Sequence, residues 1–96
     1  MVRSEDGRFE WDEAKRQDGL SQGRPDFADV ADFRMDSAQH RVDRRMDYGE
    51  VRYISVGYLH DRLCVLCWTL RGTTLRVISL RKANYREKKT FAATSR

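Results

Sequence analysis

The chain has 96 residues, of which 40% are hydrophobic and 35% charged, with a formal net charge of +4. Such a composition describes one folded domain with a crowded polar surface, and it excludes a disordered tail or a chain with room for a second functional unit. It holds no apolar run long enough for a bilayer and no signal-peptide core, so a cytoplasmic protein away from membranes is expected.

Residues 1–8 are polar and charged and are expected to form a flexible leader. Phe9–Trp11 alternates apolar, polar, apolar, which is a short strand signature. Asp12 then supplies a helix N-cap, with Glu13, Ala14, Lys15 and Arg16 as good helix formers behind it. Residues 19–25 hold two glycines, a serine and the single proline, so this helix ends in a loop. Asp26 caps a second helix over residues 27–33, with Phe27, Val30, Ala31 and Phe33 on its apolar side.

Residues 34–50 read as a long polar connection with turn chemistry at Asp36-Ser37, Asp43 and Asp47-Tyr48-Gly49. Connections of that length in small domains tend to be functional or mobile. Three strands follow in quick succession, over residues 51–59, 62–70 and 74–80, joined by turns at His60-Asp61 and Arg71-Gly72-Thr73. Links this short force neighbouring strands to be antiparallel. The middle strand is nearly all apolar from Leu63 to Trp68, as suits a strand covered on both faces. A last helix is expected over residues 83–93, and residues 94–96 form a tail.

The expected architecture is α+β: a small, mainly antiparallel sheet with helices packed on it, in the order β-α-α-β-β-β-α. Residues 9–93 form its single domain. Cys64 and Cys67 have CxxC spacing, but within a strand an i,i+3 pair points to opposite faces, so they cannot readily share a disulfide or a metal. With no second CxxC or His pair to complete a zinc site, no metal and no cofactor are expected. Two unbridged thiols also suit a reducing compartment.

Charge is distributed unevenly along the chain. Residues 1–50 carry 9 Lys/Arg against 13 Asp/Glu, whereas residues 51–96 carry 10 against 2. A basic half offers a face for a polyanion. Arg71, Arg76, Arg81, Lys82, Arg86, Lys88 and Lys89 fall within nineteen positions. Lys88 and Lys89 are sufficiently explained as solubilising residues. Arg76 is flanked by Leu75, Val77 and Ile78 in a hydrophobic strand, where a cation needs a partner or a task. Metal-free RNA cleavage needs a base for the 2′-OH, cations for the phosphorane-like charge and an acid for the leaving oxygen. His40, His60 and Glu87 are the candidate proton-transfer groups. A surface role explains His40 and a turn explains His60, while Glu87 suits an ion pair. Tyr85, beside the basic cluster, is the aromatic best placed to stack on a base.

The stretches Phe9-Glu10-Trp11-Asp12-Glu13-Ala14-Lys15, Asp26-Phe27-Ala28-Asp29-Val30, Tyr48-Gly49-Glu50-Val51-Arg52-Tyr53 with Gly57, and Arg76-Val77-Ile78-Ser79-Leu80-Arg81-Lys82-Ala83 followed by Glu87 resemble the BrnT toxins. The resemblance runs from Phe9 to about Phe91. It implies a RelE-like fold, an endoribonuclease that inhibits translation, and a hetero-oligomer with a neutralising BrnA-type antitoxin. It further implies that promoter DNA is met only through that antitoxin. Carried over by position, Arg52, Arg76, Arg81 and Glu87 are the candidate catalytic residues, with Arg76 and Arg81 on the phosphate and Glu87 in proton transfer or orienting an arginine. Arg71, Lys82, Arg86 and Tyr85 are the candidate RNA-binding residues. One departure stands out: BrnT-like sequences usually carry Asn-Leu-x-Lys-His-Gly after the first helix, where this chain has Gly19-Leu20-Ser21-Gln22-Gly23-Arg24. The alternative is therefore a weakened or inactive relative acting as an antitoxin-binding or nucleic-acid-binding module.

Overall fold

The computed structural model describes residues 1–94. Its elements are β1 (Val2–Arg3), β2 (Phe9–Trp11), α1 (Glu13–Ser21), a 3-10 helix (Phe27–Asp32), β3 (Gln39–Val42), β4 (Tyr53–Leu59), β5 (Arg62–Arg71), β6 (Thr74–Lys82) and α2 (Tyr85–Thr94). The strands form one sheet in the order β1-β2-β6-β5-β4-β3, antiparallel throughout except where β2 runs parallel to β6. The α+β class and the mainly antiparallel sheet agree with expectation.

Both expected N-caps are in place. The Asp12 carboxylate accepts from the Lys15 N–H at 3.1 Å, and that of Asp26 accepts from the Ala28 N–H at 2.8 Å. Asp26 also accepts from both Nε and a terminal nitrogen of Arg16, at 2.6 and 3.0 Å, which ties the 3-10 helix to α1.

The element order departs from β-α-α-β-β-β-α in three ways. Val2–Arg3, within the expected leader, pairs with Glu10 and Trp11 as an edge strand. Gln39–Val42, within the expected connection, pairs antiparallel with β4. Both strands are mostly exposed and lack apolar alternation, so neither carries a local strand signal. The second helix is 3-10 rather than α, a tighter coil that suits a short connector. Boundaries shift as well: β4 begins at Tyr53, β6 runs on to Lys82 because Arg81 and Lys82 pair with Val65 and Cys64, and α2 begins at Tyr85. Of the expected tail, Thr94 belongs to α2 and residues 95–96 lie outside the described residues.

β5 is the central strand, and Leu63, Cys64, Val65, Leu66 and Cys67 are all buried. One face of the sheet, the packed face, presents Phe9, Trp11, Cys64, Leu66, Leu75, Val77 and Leu80 to Phe27, Val30 and Phe33. Gly57 also belongs to this side. A Cβ there would stand 2.7 Å from the Ala38 Cβ and 3.0 Å from Phe33 Cζ, so only glycine lets the connection approach β4 so closely. On the opposite face α2 drops Phe91 onto Ile54, Leu63, Val65, Cys67 and Ala83. Cys64 and Cys67 thus fall in separate clusters and both thiols are free, as strand geometry requires. No helix among the described residues is long and apolar enough to cross a membrane.

A register shift sets up the second face. Cys67 pairs with Ser79 and Trp68 with Val77, leaving Ile78 as the extra residue of a bulge. Past it, Leu80 turns into the packed core while Ser79 and Arg81 pair with Cys67 and Val65 of the other cluster.

Candidate nucleic-acid interface

Residues directly opposite each other across a ladder share a face. On the α2 side, Phe91 covers the end of the sheet carrying Ile54, Leu63 and Val65. The other end lies beyond the helix. There Arg76 of β6 stands between Thr69 of β5 and Glu10 of β2, and the residues flanking Arg76, Leu75 and Val77, point into the packed core. Arg52, two residues before Ile54, continues the ladder, its carbonyl accepting from the Asp43 N–H at 2.8 Å. We call this the open face.

Arg81, opposite Val65, and Glu87 of α2 form the border between this face and the end that the helix covers. The two terminal guanidinium nitrogens of Arg81 donate to the two carboxylate oxygens of Glu87, each at 2.8 Å. Glu87 simultaneously closes the start of α2. Its Oε1 accepts from the Asn84 N–H, and its own N–H donates to the Asn84 Oδ1, both at 2.8 Å, a reciprocal cap. The Arg81 hydrogen bonds, aided by the Asn84 N–H and outweighing desolvation, hold the Glu87 carboxyl down at about 2. The same pairing raises Arg81 above the ordinary arginine value. Glu87 is therefore an anchored carboxylate that orients an arginine, and its geometry offers no oxygen waiting for a substrate proton.

A second wall comes from the connection between β3 and β4. Its hub is Asp43, whose side chain is 1% exposed. That carboxylate accepts from Arg45 Nε at 2.8 Å, from a terminal nitrogen of Arg45 at 2.7 Å, from the Arg45 N–H at 3.1 Å and from Tyr48 Oη at 3.0 Å. Arg45 first, then Tyr48, hold Asp43 well below the usual carboxylate range against the cost of burial. The Tyr48 ring in turn lies under the Arg52 guanidinium, 4.0 Å from the ring centroid. Glu50 sits between two cations, accepting from Arg52 at 3.2 Å and Arg71 at 3.4 Å. Arg45 comes within electrostatic range of Arg81 and of the Cys67 thiol, and Arg41 within range of Glu87, so this wall faces the β6–α2 wall across the sheet. Burial nonetheless pushes the Cys67 thiol up, so it is a poor nucleophile.

Of the sequence-named catalytic residues, Arg81 and Glu87 meet directly, and Arg52 and Arg76 share the open face with them. Arg76 is half-buried and, among the described residues, held by no ion pair or hydrogen bond, whereas Arg52 and Arg81 are each paired. Arg71 joins Arg52 through Glu50. The other named RNA-binding residues sit apart. Lys82 pairs with Cys64 and lies in grooves on the hairpin side. Arg86 lines a groove with Gln39, Arg41 and Glu87 along the clamp side of α2. Tyr85 is 75% exposed, with Lys89 Nζ 5.4 Å from its ring centroid.

Arg41, Arg45, Asp43 and Tyr48 are functional candidates that sequence reasoning passed over. The hints were the unusual length of the connection carrying them, the turn chemistry at Asp43 and the place of Tyr48 at the head of one quoted stretch.

Neither imidazole ring is bonded on this face, although His40 borders the groove that holds Arg41 and Glu87. His40 Nδ1 lies 2.6 Å from Ser55 Oγ, which also accepts from Trp68 Nε1, and Nε2 lies 3.0 Å from the Met35 carbonyl; these contacts place it on the packed side. His60 occupies the β4–β5 turn at φ 55° and pairs with Asp32 at 3.0 Å. Among the described residues no group of three or more His, Cys, Asp or Glu side chains is placed to hold a metal ion.

Comparison with known proteins matches residues 11–87 to the family described as "Ribonuclease toxin, BrnT, of type II toxin-antitoxin system". No curated protein and no solved structure matches the chain. The matched span runs from the last residue of β2 to the first turn of α2, and so takes in both walls of the open face. The chain belongs to the BrnT family of ribonuclease toxins of type II toxin–antitoxin systems.

Proposed function

We propose that this chain is a metal-independent endoribonuclease that cleaves RNA and so inhibits translation, using the open face of its sheet. The observation that carries the reading is Arg76, a half-buried guanidinium that, among the described residues, forms no ion pair even with Glu10 beside it on β2, and that lies on the same side of the sheet as the paired arginines 45, 52 and 81. A cation in that position is free to take a phosphodiester, and the pinned arginines beside it keep their geometry when the anion arrives. Arg81, held by both Glu87 oxygens, points its remaining donor capacity at charge that develops on the phosphate. Glu87 orients it, and Arg52 and Arg45 supply the opposite wall. In this reading the cytoplasmic protein pairs with a BrnA-type antitoxin in a hetero-oligomer, and promoter DNA is touched only through that partner.

The test is single-turnover cleavage of RNA in the presence of a chelator, beside growth arrest on expression. Arg76→Ala and Arg81→Ala should each lower the cleavage rate by about 100-fold and relieve growth arrest. Arg76→Ala should stay within about 0.5 kcal/mol of the parent in stability. Full toxicity in both variants removes these residues from the mechanism, and loss of cleavage on chelation removes metal independence.

A second reading rests on a specific observation. The histidine rings are bonded away from the open face. Two of its glutamates are committed, Glu87 to Arg81 and Asn84 and Glu50 to Arg52 and Arg71, which leaves Glu10, buried beside Arg76. A catalytically weakened relative that still docks with its antitoxin would bind that partner and leave RNA intact in the same assay.

A further inference from the structure

α2 has two flanks. At 100° per residue, Glu87 and Thr90 fall to one side of the buried Phe91, and Lys88 and Ala92 to the other. The first flank faces Arg41 and the Arg81–Glu87 clamp. The second borders a groove of about 740 Å³ between α2 and the β4–β5 hairpin. Leu63, Ala83, Phe91 and Ala92 give this groove an apolar lining, and Tyr58, 41% exposed, stands edge-on to Phe91 with ring centroids 5.7 Å apart. Around it stand Arg62, Lys82 and Lys88, against a single acid, Asp61. Arg62 and Lys82, opposite Leu59 and Cys64, stand at the sheet's end and also line the neighbouring groove of the packed side. Among the described residues none of the three cations is held in an ion pair.

We propose that this groove is a docking site for an acidic, apolar-anchored segment of the antitoxin, distinct from the RNA-cleaving face. The inference rests on the toxin–antitoxin reading. Aliphatic anchors of such a segment fill the lining made by Leu63, Ala83, Phe91 and Ala92, and its carboxylates meet Arg62, Lys82 and Lys88. RNA suits the groove less well. The lining made by Leu63, Ala83, Phe91 and Ala92 offers a base no side-chain hydrogen bonds, the Tyr58 ring is already engaged edge-on with Phe91, and Asp61 repels phosphate. Because the groove lies across α2 from the Arg81–Glu87 clamp, a partner held there grips the toxin without competing for the arginines that bind substrate.

The experiment measures affinity of the full-length toxin for its purified antitoxin by titration calorimetry, together with RNA cleavage by the free toxin. Arg62→Glu combined with Lys88→Glu should weaken antitoxin binding by at least ~10-fold and flatten its salt dependence. Arg62→Gln with Lys88→Gln should give a smaller loss in the same direction. Both side chains are exposed, so both variants should melt like the parent and cleave RNA at the parental rate. Unchanged antitoxin affinity in the charge-reversed variant overturns the proposal. Weakened RNA binding with antitoxin binding intact also overturns it, by assigning the groove to nucleic acid. A parent protein that cleaves RNA but never binds the antitoxin refutes the partner reading itself, whereas one that binds antitoxin and cleaves nothing leaves the groove proposal to be judged on the affinities alone.

Discussion

The two faces of the sheet are built from the same strands and do opposite things with them. On the packed face the inward residues are mostly aliphatic or aromatic, with Cys64 and the hydrogen-bonded Ser55 among them, and Phe27, Val30 and Phe33 seal them. On the other face one helix covers one end through a single buried side chain, Phe91, and the remaining end carries arginines. A sheet of six strands in a domain this small gains enough from one well-sealed side to leave half of the other uncovered by any helix. Stability and chemistry are thus separated by the pleat itself, residue by alternate residue.

That separation can be broken by substitution on either side. Leu66 is fully buried at the centre of the packed face, and Leu66→Ala should cost about 3 kcal/mol in a urea titration. An unchanged midpoint would show that the packed face does not hold the fold. Gly57→Ala tests the same face by crowding. With 2.7 Å to the Ala38 Cβ, the connection must give way, at a cost of about 2 kcal/mol read as a lowered thermal midpoint. On the open side, Glu87→Gln keeps the Asn84 cap in part but loses the charge facing Arg81, an effect on the order of 1 kcal/mol.

The pH dependence of this last variant sharpens the comparison. The folded carboxyl of Glu87 lies at about 2, below its ordinary 4.5. Its contribution is therefore present in full above pH 4.5 and lost as the pH falls toward 2. The stability gap between parent and Glu87→Gln should accordingly be constant from pH 5 to 7 and close on acidification. A gap that persists undiminished at about pH 2 means that the ion pair contributes nothing.

Much of this was legible in the residues. Asp12 and Asp26 announced the two helix starts, and the apolar run from Leu63 announced a strand buried on both sides. The alternation around Arg76 placed its side chain opposite the core. What stayed hidden was non-local. β3 has no apolar periodicity because it is an exposed edge, and it becomes a strand only through its ladder to β4. The parallel pairing of Phe9 and Glu10 with Leu75 and Arg76 has no sequence signal at either end. Charge counting along the chain also misled. Arg41 and Arg45 belong to the half with the acidic excess, yet the fold swings them over the open face, near the clamp formed by residues of the basic half. The Asn84-x-x-Glu87 spacing, by contrast, was there to be read as a reciprocal cap and would have set the start of α2 at Tyr85 rather than Ala83.

The parallel junction has a consequence for how the protein comes into being. Phe9 cannot meet Leu75 until three-quarters of the chain has been synthesised, and the Arg81–Glu87 clamp is supplied later still. Contacts this distant along the chain form slowly and late. The Arg81–Glu87 clamp and the junction beside Arg76 are therefore assembled only once nearly the whole polypeptide has been made.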